Sequence, residues 1–361
     1  FRTKPKMFTY QTLKEYLFRL DPETAHNLAE NAIRMSRLCT PCQNYFIDKN
    51  FCIDDRLTQV VFGKKFLNPV GLAAGFDKNA TMIRQMPMFG FGFTEIGTVT
   101  PKPQDGNPRP RLFRFPEYES LQNAFGFNNE GMIKVKKRVE RVHPFILPVG
   151  VNIGKNKLTA EKSAINDYKT LIENLQEFAD YIVINISSPN TKGLRDLQNE
   201  EFIKELFESA KELTEKPVLL KLSPDLDKKE ALTLAINAVE HGAKGIIATN
   251  TTTDYSLLPE AKDTGGLSGK VLADKSFEMF DYLASELYGQ TTLISVGGID
   301  SAEEAYRRIK AGASLVQVYT AFIYKGPSLA KRINEGLMEF MNEDGFSNIT
   351  EAIGSARKSR R

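Results

Sequence analysis

Eight short apolar runs follow one another along the chain, at 70–74, 93–97, 147–153, 181–186, 218–222, 245–249, 292–296 and 314–318. Most are nearly continuous in aliphatic residues rather than alternating with polar ones, the pattern of strands covered on both faces. Helical stripes lie between them: Tyr168, Leu171, Ile172 and Leu175, then Ile203, Leu206, Phe207 and Ala210, then Leu232, Ala235, Ile236 and Val239. Asp227 with Glu230, and Ser301 with Glu304, have capping-box spacing and mark two helix starts. Strands alternating with helices build parallel sheets, and eight such units close a barrel. The expected fold class is therefore α/β, a (β/α)8 TIM barrel. The intervals 98–145 and 250–290 are longer than one helix needs and are expected to carry cap elements over the top face.

The segment ahead of the barrel reads as a small N-terminal two-helix domain. Leu13, Tyr16, Leu17 and Leu20 recur at helical spacing, with Phe8 and Phe18 adding exposed bulk. Asp21 then caps a second helix with Pro22 at its first position, and Leu28, Ala29, Ala32 and Ile33 form its apolar stripe. Such helices either pack on the barrel or, with Lys14, Arg19, Arg34 and Arg37 among them, lie on anionic lipid; composition leaves both readings open. Runs at 57–61 and 65–67 flank Phe62-Gly63-Lys64 as a hairpin able to plug the barrel bottom. The expected division is 1–6 as a cloning remnant before Met7, 7–42 as the amphipathic helices and 43–361 as the barrel.

A net charge of +3 and the lack of a basic, aromatic-interleaved run argue against a nucleic-acid partner. No run approaches the roughly 20 apolar residues of a membrane span, and no secretory signal is visible. Cys39, Cys42 and Cys52 are too few and too clustered for a disulfide framework, which points to a reducing compartment. Cys39-Thr40-Pro41-Cys42 has redox-motif spacing but follows a helix rather than a strand, and no second pair exists to complete a zinc site.

In a barrel of this kind the chemistry sits where strands end. Those ends hold Ala74-Gly75-Phe76-Asp77-Lys78, Gly97-Thr98, Asn152-Ile153-Gly154-Lys155, Lys221 and Thr249-Asn250-Thr251, with Asn123 to Asn129 in the longer second connection. The densest stretch is 185–195: Asn185, Ser187, Ser188, Asn190 and Thr191 around Pro189. Read alone it is a polar turn or a ligand site. Gly297-Gly298 and Gly265 to Gly269 supply backbone that a phosphate can approach, although the second departs from a nucleotide P-loop because Val271 stands where a hydroxyl is required. His26, His143 and His241 lie away from the strand ends, so no Ser-His-Asp arrangement or metal set is in sight. Such a barrel must take its chemistry from a cofactor or a Schiff-base lysine.

The segments 72–78, 95–100, 185–195, 248–252, 265–269, 296–299 and 315–319 together closely resemble the dihydroorotate dehydrogenases of the quinone-linked, membrane-associated class 2, in order and over nearly the whole chain from Thr9. The resemblance implies oxidation of (S)-dihydroorotate to orotate in pyrimidine biosynthesis, with one FMN per chain and quinone as acceptor. It implies Ser188 as the catalytic base that takes the C5 proton while hydride leaves C6 for the flavin; class 1 relatives carry cysteine there. Substrate binding falls to Lys78, Asn123, Phe127, Asn185, Asn190, Asn250 and Thr251. FMN falls to Ala74, Gly75, Thr98, Asn152, Asn185, Lys221, Thr249, Ser268, Gly269, Gly297, Gly298, Tyr319 and Thr320, and no metal is implied. His26, Arg114 and Tyr319 match quinone-site positions, and the N-terminal helices become a peripheral membrane contact.

Each role is chemically reasonable. A serine hydroxyl is a weak base and needs a dry site and a relay, for which Thr191 is a sequence neighbour. Asparagines offer donor and acceptor together to a cyclic imide, and a lysine favours a carboxylate or a reduced flavin. The expected protein is a monomer, peripheral on the cytoplasmic side of a bacterial inner membrane. The rival readings are a soluble flavin barrel passing electrons to fumarate or nicotinamide, and a non-catalytic membrane-docking protein.

Overall fold

The computed structural model describes residues 9–358; the expectations for residues 1–6 and Phe8 lie outside the described residues. A two-stranded hairpin, β1 (Gln59–Val61) and β2 (Lys64–Phe66), turns at Phe62 and Gly63, both with positive φ. The chain continues through β3 (Val70–Leu72), β4 (Phe93–Val99), β5 (Leu112–Phe115), β6 (Ser120–Asn123), β7 (Val149–Ile153), β8 (Tyr181–Asn185), β9 (Val218–Leu222), β10 (Gly245–Ala248), β11 (Gly266–Gly269), β12 (Thr292–Val296) and β13 (Leu315–Val318).

Eight of these strands close a parallel barrel in the order β10-β12-β13-β3-β4-β7-β8-β9. These are the eight runs expected, trimmed by a few residues at some ends. The barrel interior is apolar around Phe93, Tyr181, Leu219, Ile247, Ile294 and Leu315. The hairpin plugs it as expected: the Phe66 ring lies 5.4 Å from Phe93, and Phe62 lies 5.6 Å from Tyr181. A second polar set of interior side chains, Glu95, Asn152, Asn185, Lys221 and Gln317, is also buried and leads toward the strand ends.

The two long intervals meet above the barrel. β5 and β6 from the first pair with β11 from the second in one antiparallel sheet. The Tyr168 and Ile203 stripes are buried as expected. In the helix Lys228–Glu240, Ala235 is buried and Leu232 and Val239 pack half-buried on the core as expected, but Ile236 is exposed and Ala231, Leu234 and Ala238 complete the buried face. Asp227 and Ser301 cap their helices through side-chain oxygens, as their spacing predicts.

Ahead of the barrel lie α1 (Tyr10–Leu17), α2 (Pro22–Met35) and α3 (Thr40–Asn50), so the boundary expected at 42/43 falls inside a helix. α2 begins at the Asp21 cap as expected, but it is turned about: Leu28 and Ala32 face outward, and Ala29 and Ile33 are only half-buried. Its inward face carries Glu23, His26 and Glu30, which meet Arg111, the Phe76 ring and Thr81 on the barrel side. Phe18, expected to be exposed, packs edge-on against Tyr324 at 5.4 Å. Cys39 and Cys42 form a disulfide at the start of α3, which departs from the expectation of free thiols; the pair both follows one helix and begins another. No helix among the described residues is long and apolar enough to cross a membrane.

Candidate active site

The strand ends and the cap sheet border a cleft with a cavity volume of about 160 Å³. It is lined by Ala74, Gly75, Lys78, Thr98, Asn123, Phe127, Asn185, Ser188, Asn190, Lys221, Thr249, Asn250 and Thr251, together with Ser268, Gly269, Gly297, Gly298, Tyr319 and Thr320. These are all the substrate and cofactor residues expected from sequence except Asn152. Asn152 is fully buried one layer behind, accepting from Thr98 Oγ1 at 2.5 Å and from Asn185 Nδ2 at 3.1 Å.

Ser188 sits just past β8, 5 % exposed, and its Oγ accepts from the Asn190 backbone N–H at 3.3 Å. Asn190 Nδ2 donates to Asn123 Oδ1 at 3.0 Å, tying the Ser188 loop to the cap strand β6. From the other side Asn250 Nδ2 donates to Ser187 Oγ at 3.0 Å. Ser187 therefore holds the loop while Ser188 faces the cleft. Arg195 braces the same loop: it donates to the Ser187 carbonyl at 3.1 Å and the Thr251 carbonyl at 3.2 Å, and pairs with Asp225 at 2.9 Å. Burial alone would push Asp225 upward, but Thr252, Thr253, Lys275 and Arg195 outweigh it and bring it down to about 2.

Two lysines face the cleft. Burial brings Lys78 down to about 8, against the opposing fields of Glu30 and Glu23, and its Nζ lies 4.4 Å from the Phe125 ring centre. Burial also lowers Lys221, with Glu95 pulling it back. An ammonium held in a low-dielectric wall is a strong anion or carbonyl ligand.

At the far end Ser268 Oγ and Thr320 Oγ1 meet at 2.9 Å beside Gly269 and Gly298. Gly298 has φ +73°, and a side chain there would strike the Ala273 backbone, so only glycine leaves its N–H accessible to a phosphate. Behind it Arg308, with no exposed surface, donates to the carbonyls of Gly297 at 3.1 Å and Ala273 at 2.8 Å and pairs with Glu304. Glycine backbone able to approach a phosphate at one end and a lysine at the other fit FMN, whose polar ring edge Lys221 would face.

The three quinone candidates do not converge equally. Tyr319 lines the cleft, and its ring centre lies 5.8 Å from that of Phe76, which in turn contacts His26 at 5.3 Å. Burial and the neighbouring Lys78 push His26 down to about 3, so its imidazole is neutral. Arg114 is outside the cleft lining and instead donates to the carbonyls of Leu17, Phe18 and Leu20 at the end of α1.

Sequence reading overlooked Glu95, Gln317, Arg195, Asp225 and Arg308 as site residues. Glu95 had a visible signal, an acidic residue inside an otherwise buried strand run. Arg308 had none, since it reads as an ordinary helix-end charge.

The family model described as dihydroorotate dehydrogenase matches residues 56–341. The chain is similar to the dihydroorotate dehydrogenase (quinone) of Sulfurimonas denitrificans, at 60% identity over 98% of this chain and 100% of that one. It is 48% identical to the protein of the same description from Helicobacter acinonychis, over 96% of this chain and 99% of the relative. Among solved structures it resembles a DHODH from Eimeria tenella in complex with ferulenol, with TM-score 0.85 and 37% identity, covering 94% of this chain and 96% of that chain. The ligand-free form of that protein aligns with TM-score 0.82.

Proposed function

The chain belongs to the dihydroorotate dehydrogenase family, and from that premise we propose how its residues divide the reaction. The enzyme oxidises dihydroorotate to orotate in pyrimidine biosynthesis, with quinone as electron acceptor, and is FMN-dependent. FMN supplies a two-electron acceptor that can then be reoxidised by quinone.

Ser188 takes the C5 proton of the substrate. The carrying observation is its position in the cleft wall, 5 % exposed, among amide side chains, with a backbone N–H at its oxygen and no histidine in the cleft lining. As the hydroxyl gains that proton it passes its own onward, and Thr191 Oγ1, buried nearby in sequence without a hydrogen-bond partner, is a suitable next acceptor. Asn123, Asn185, Asn190 and Asn250, with Phe127 and Thr251, hold the ring, and Lys78 holds its carboxylate. Lys221, Asn185 and Thr98 would hold one FMN at the ring edge, with Asn152 behind them orienting Thr98 and Asn185, and Gly269, Gly297, Gly298, Ser268 and Thr320 would hold its phosphate, with Ala74, Gly75, Thr249 and Tyr319 along the length.

Quinone approaches by way of α1 and α2, near His26 and Tyr319. The outward Leu13, Tyr16, Leu20, Leu28, Met35 and Leu38 form a face suited to lipid. The protein thus acts as a monomer, peripheral on the cytoplasmic side of a bacterial inner membrane, with residues 7–42 as the membrane-facing part.

Anaerobic dihydroorotate should bleach the flavin band. Ser188→Ala should keep the flavin but slow bleaching by roughly 10²–10⁴-fold. Unchanged bleaching in Ser188→Ala would remove serine from the chemistry, and turnover with fumarate but none with quinone would overturn the acceptor.

A further inference from the structure

Glu95 is a buried carboxylate for which the reaction above has no use. It comes from β4 into the barrel interior and has no exposed surface. One oxygen accepts from Asn152 Nδ2 at 2.8 Å and the other from Gln317 Nε2 at 2.6 Å. Both oxygens act as acceptors toward the amides beside them.

A carboxylate in that state cannot donate, so each neighbouring amide must turn its NH2 toward it. Asn152 Oδ1 is thereby turned away and accepts from Asn185 Nδ2 at 3.1 Å. With its NH2 committed there, Asn185 offers Oδ1 to Asn250 Nδ2 at 3.3 Å. Asn250 Oδ1 in turn accepts from the Thr251 N–H at 2.8 Å. Donation runs one way, from Thr251 through three amides to Glu95. A buried chain of this kind polarises along its length, and its direction is fixed at two ends, the Thr251 N–H that can only donate and the Glu95 carboxylate that accepts. The charged and titratable groups around it are Glu95 on β4, Tyr181 on β8 and Lys221 on β9, with Lys78 across the cleft. Burial and Glu95 both raise Tyr181, which leaves Lys221 as the cation balancing Glu95.

We propose that Glu95 is a positioning residue: the terminal acceptor that orients Asn152, Asn185 and Asn250, and the buried counter-charge that keeps Lys221 cationic. A planar ring with alternating N–H and C=O edges then meets amides of fixed polarity. The inference rests on the assignment of Asn185 and Lys221 to FMN given above.

The test is Glu95→Gln in the full chain, which preserves shape, removes the charge and adds a donor. FMN affinity is read from flavin fluorescence on titrating apoprotein, and the flavin midpoint potential is followed against pH. Affinity should fall by about tenfold or more. The potential should gain a break, absent from the parent, where Lys221 loses its proton below the usual lysine range. Gln317→Met, which removes one bond but no charge, should gain no such break. Affinity and a potential profile matching the parent in Glu95→Gln would overturn the proposal.

Should that variant not accumulate, Asn152→Asp tests the same relation by placing two carboxylates face to face. Its FMN binding should be weak and recover on acidification, as one proton comes to be shared; weak binding independent of pH would count against the proposal. Lys221→Met separates the two levels. If it leaves affinity and potential unaltered, the assignment of Lys221 fails. If it alters both while Glu95→Gln alters neither, only the role of Glu95 fails.

Discussion

The Glu23 carboxylate and the Arg111 guanidinium meet at 2.7 Å, each side chain less than a tenth exposed, and join α2 to the chain entering the cap sheet. Arg111 also lies 5.5 Å from the ring centre of Phe125, the ring that Lys78 approaches at 4.4 Å. The helix whose outer face carries Leu28 and Met35 is thus anchored, through one aromatic side chain, beside Lys78 in the cleft wall.

Glu23→Gln should leave Arg111 buried without its counter-charge and cost about 3 kcal/mol, seen as a lower denaturant midpoint. Quinone reduction should fall more than dihydroorotate-driven flavin bleaching, since α2 lies on the acceptor side. Burial pushes Glu23 up, but Arg111 and Arg109 hold it below the usual carboxylate range. The stabilisation is therefore complete above that range and is lost as pH falls through the depressed value. A midpoint difference between parent and variant that persists unchanged into acid would contradict this.

Lys78, brought down to about 8, should make orotate binding pH-dependent. The carboxylate needs the ammonium, so the dissociation constant should rise by about tenfold per pH unit well above that value. Spectral titration of the flavin with orotate reads it directly, and Lys78→Met should bind weakly with a flat profile through the same window.

How much of this was legible beforehand depended on what each residue competes with. The eight strands were readable because burial on both faces leaves few alternatives to a continuous apolar run, and the stretch 185–195 stood out as a candidate site because a dense polar turn followed one of them, while the choice of Ser188 within it came from the family resemblance alone. The orientation of α2 was not readable. Its Leu28 stripe obeys the rule for a core-facing helix, yet the partners that decide its rotation, Arg111 and Thr81, lie far along the chain. Arg308 escaped for the same reason, since its guanidinium makes five hydrogen bonds to groups from three separate segments.

Arg308→Lys should loosen the phosphate cradle, because a lysine cannot reach Glu304, Ser295 and the Gly297 carbonyl together. FMN affinity should fall by about tenfold, with a stability loss of about 3 kcal/mol from the broken buried pair. Flavin release on dilution and urea unfolding of the apoprotein measure the two separately.

Leu28→Asp combined with Leu38→Asp should abolish co-sedimentation with anionic vesicles while leaving turnover with a short, water-soluble quinone intact. Undiminished vesicle binding would move the lipid-facing surface elsewhere.

The barrel closes by pairing β13 with β3, and the cap sheet by pairing β11 with β6. Both seams join early segments to late ones, so no N-terminal fragment emerging from the ribosome contains a finished pocket. Cofactor capture must then wait until Tyr319 and Thr320 have been synthesised. Until that point the waiting strands present open edges, and a stalled or truncated chain offers those edges to its neighbours instead.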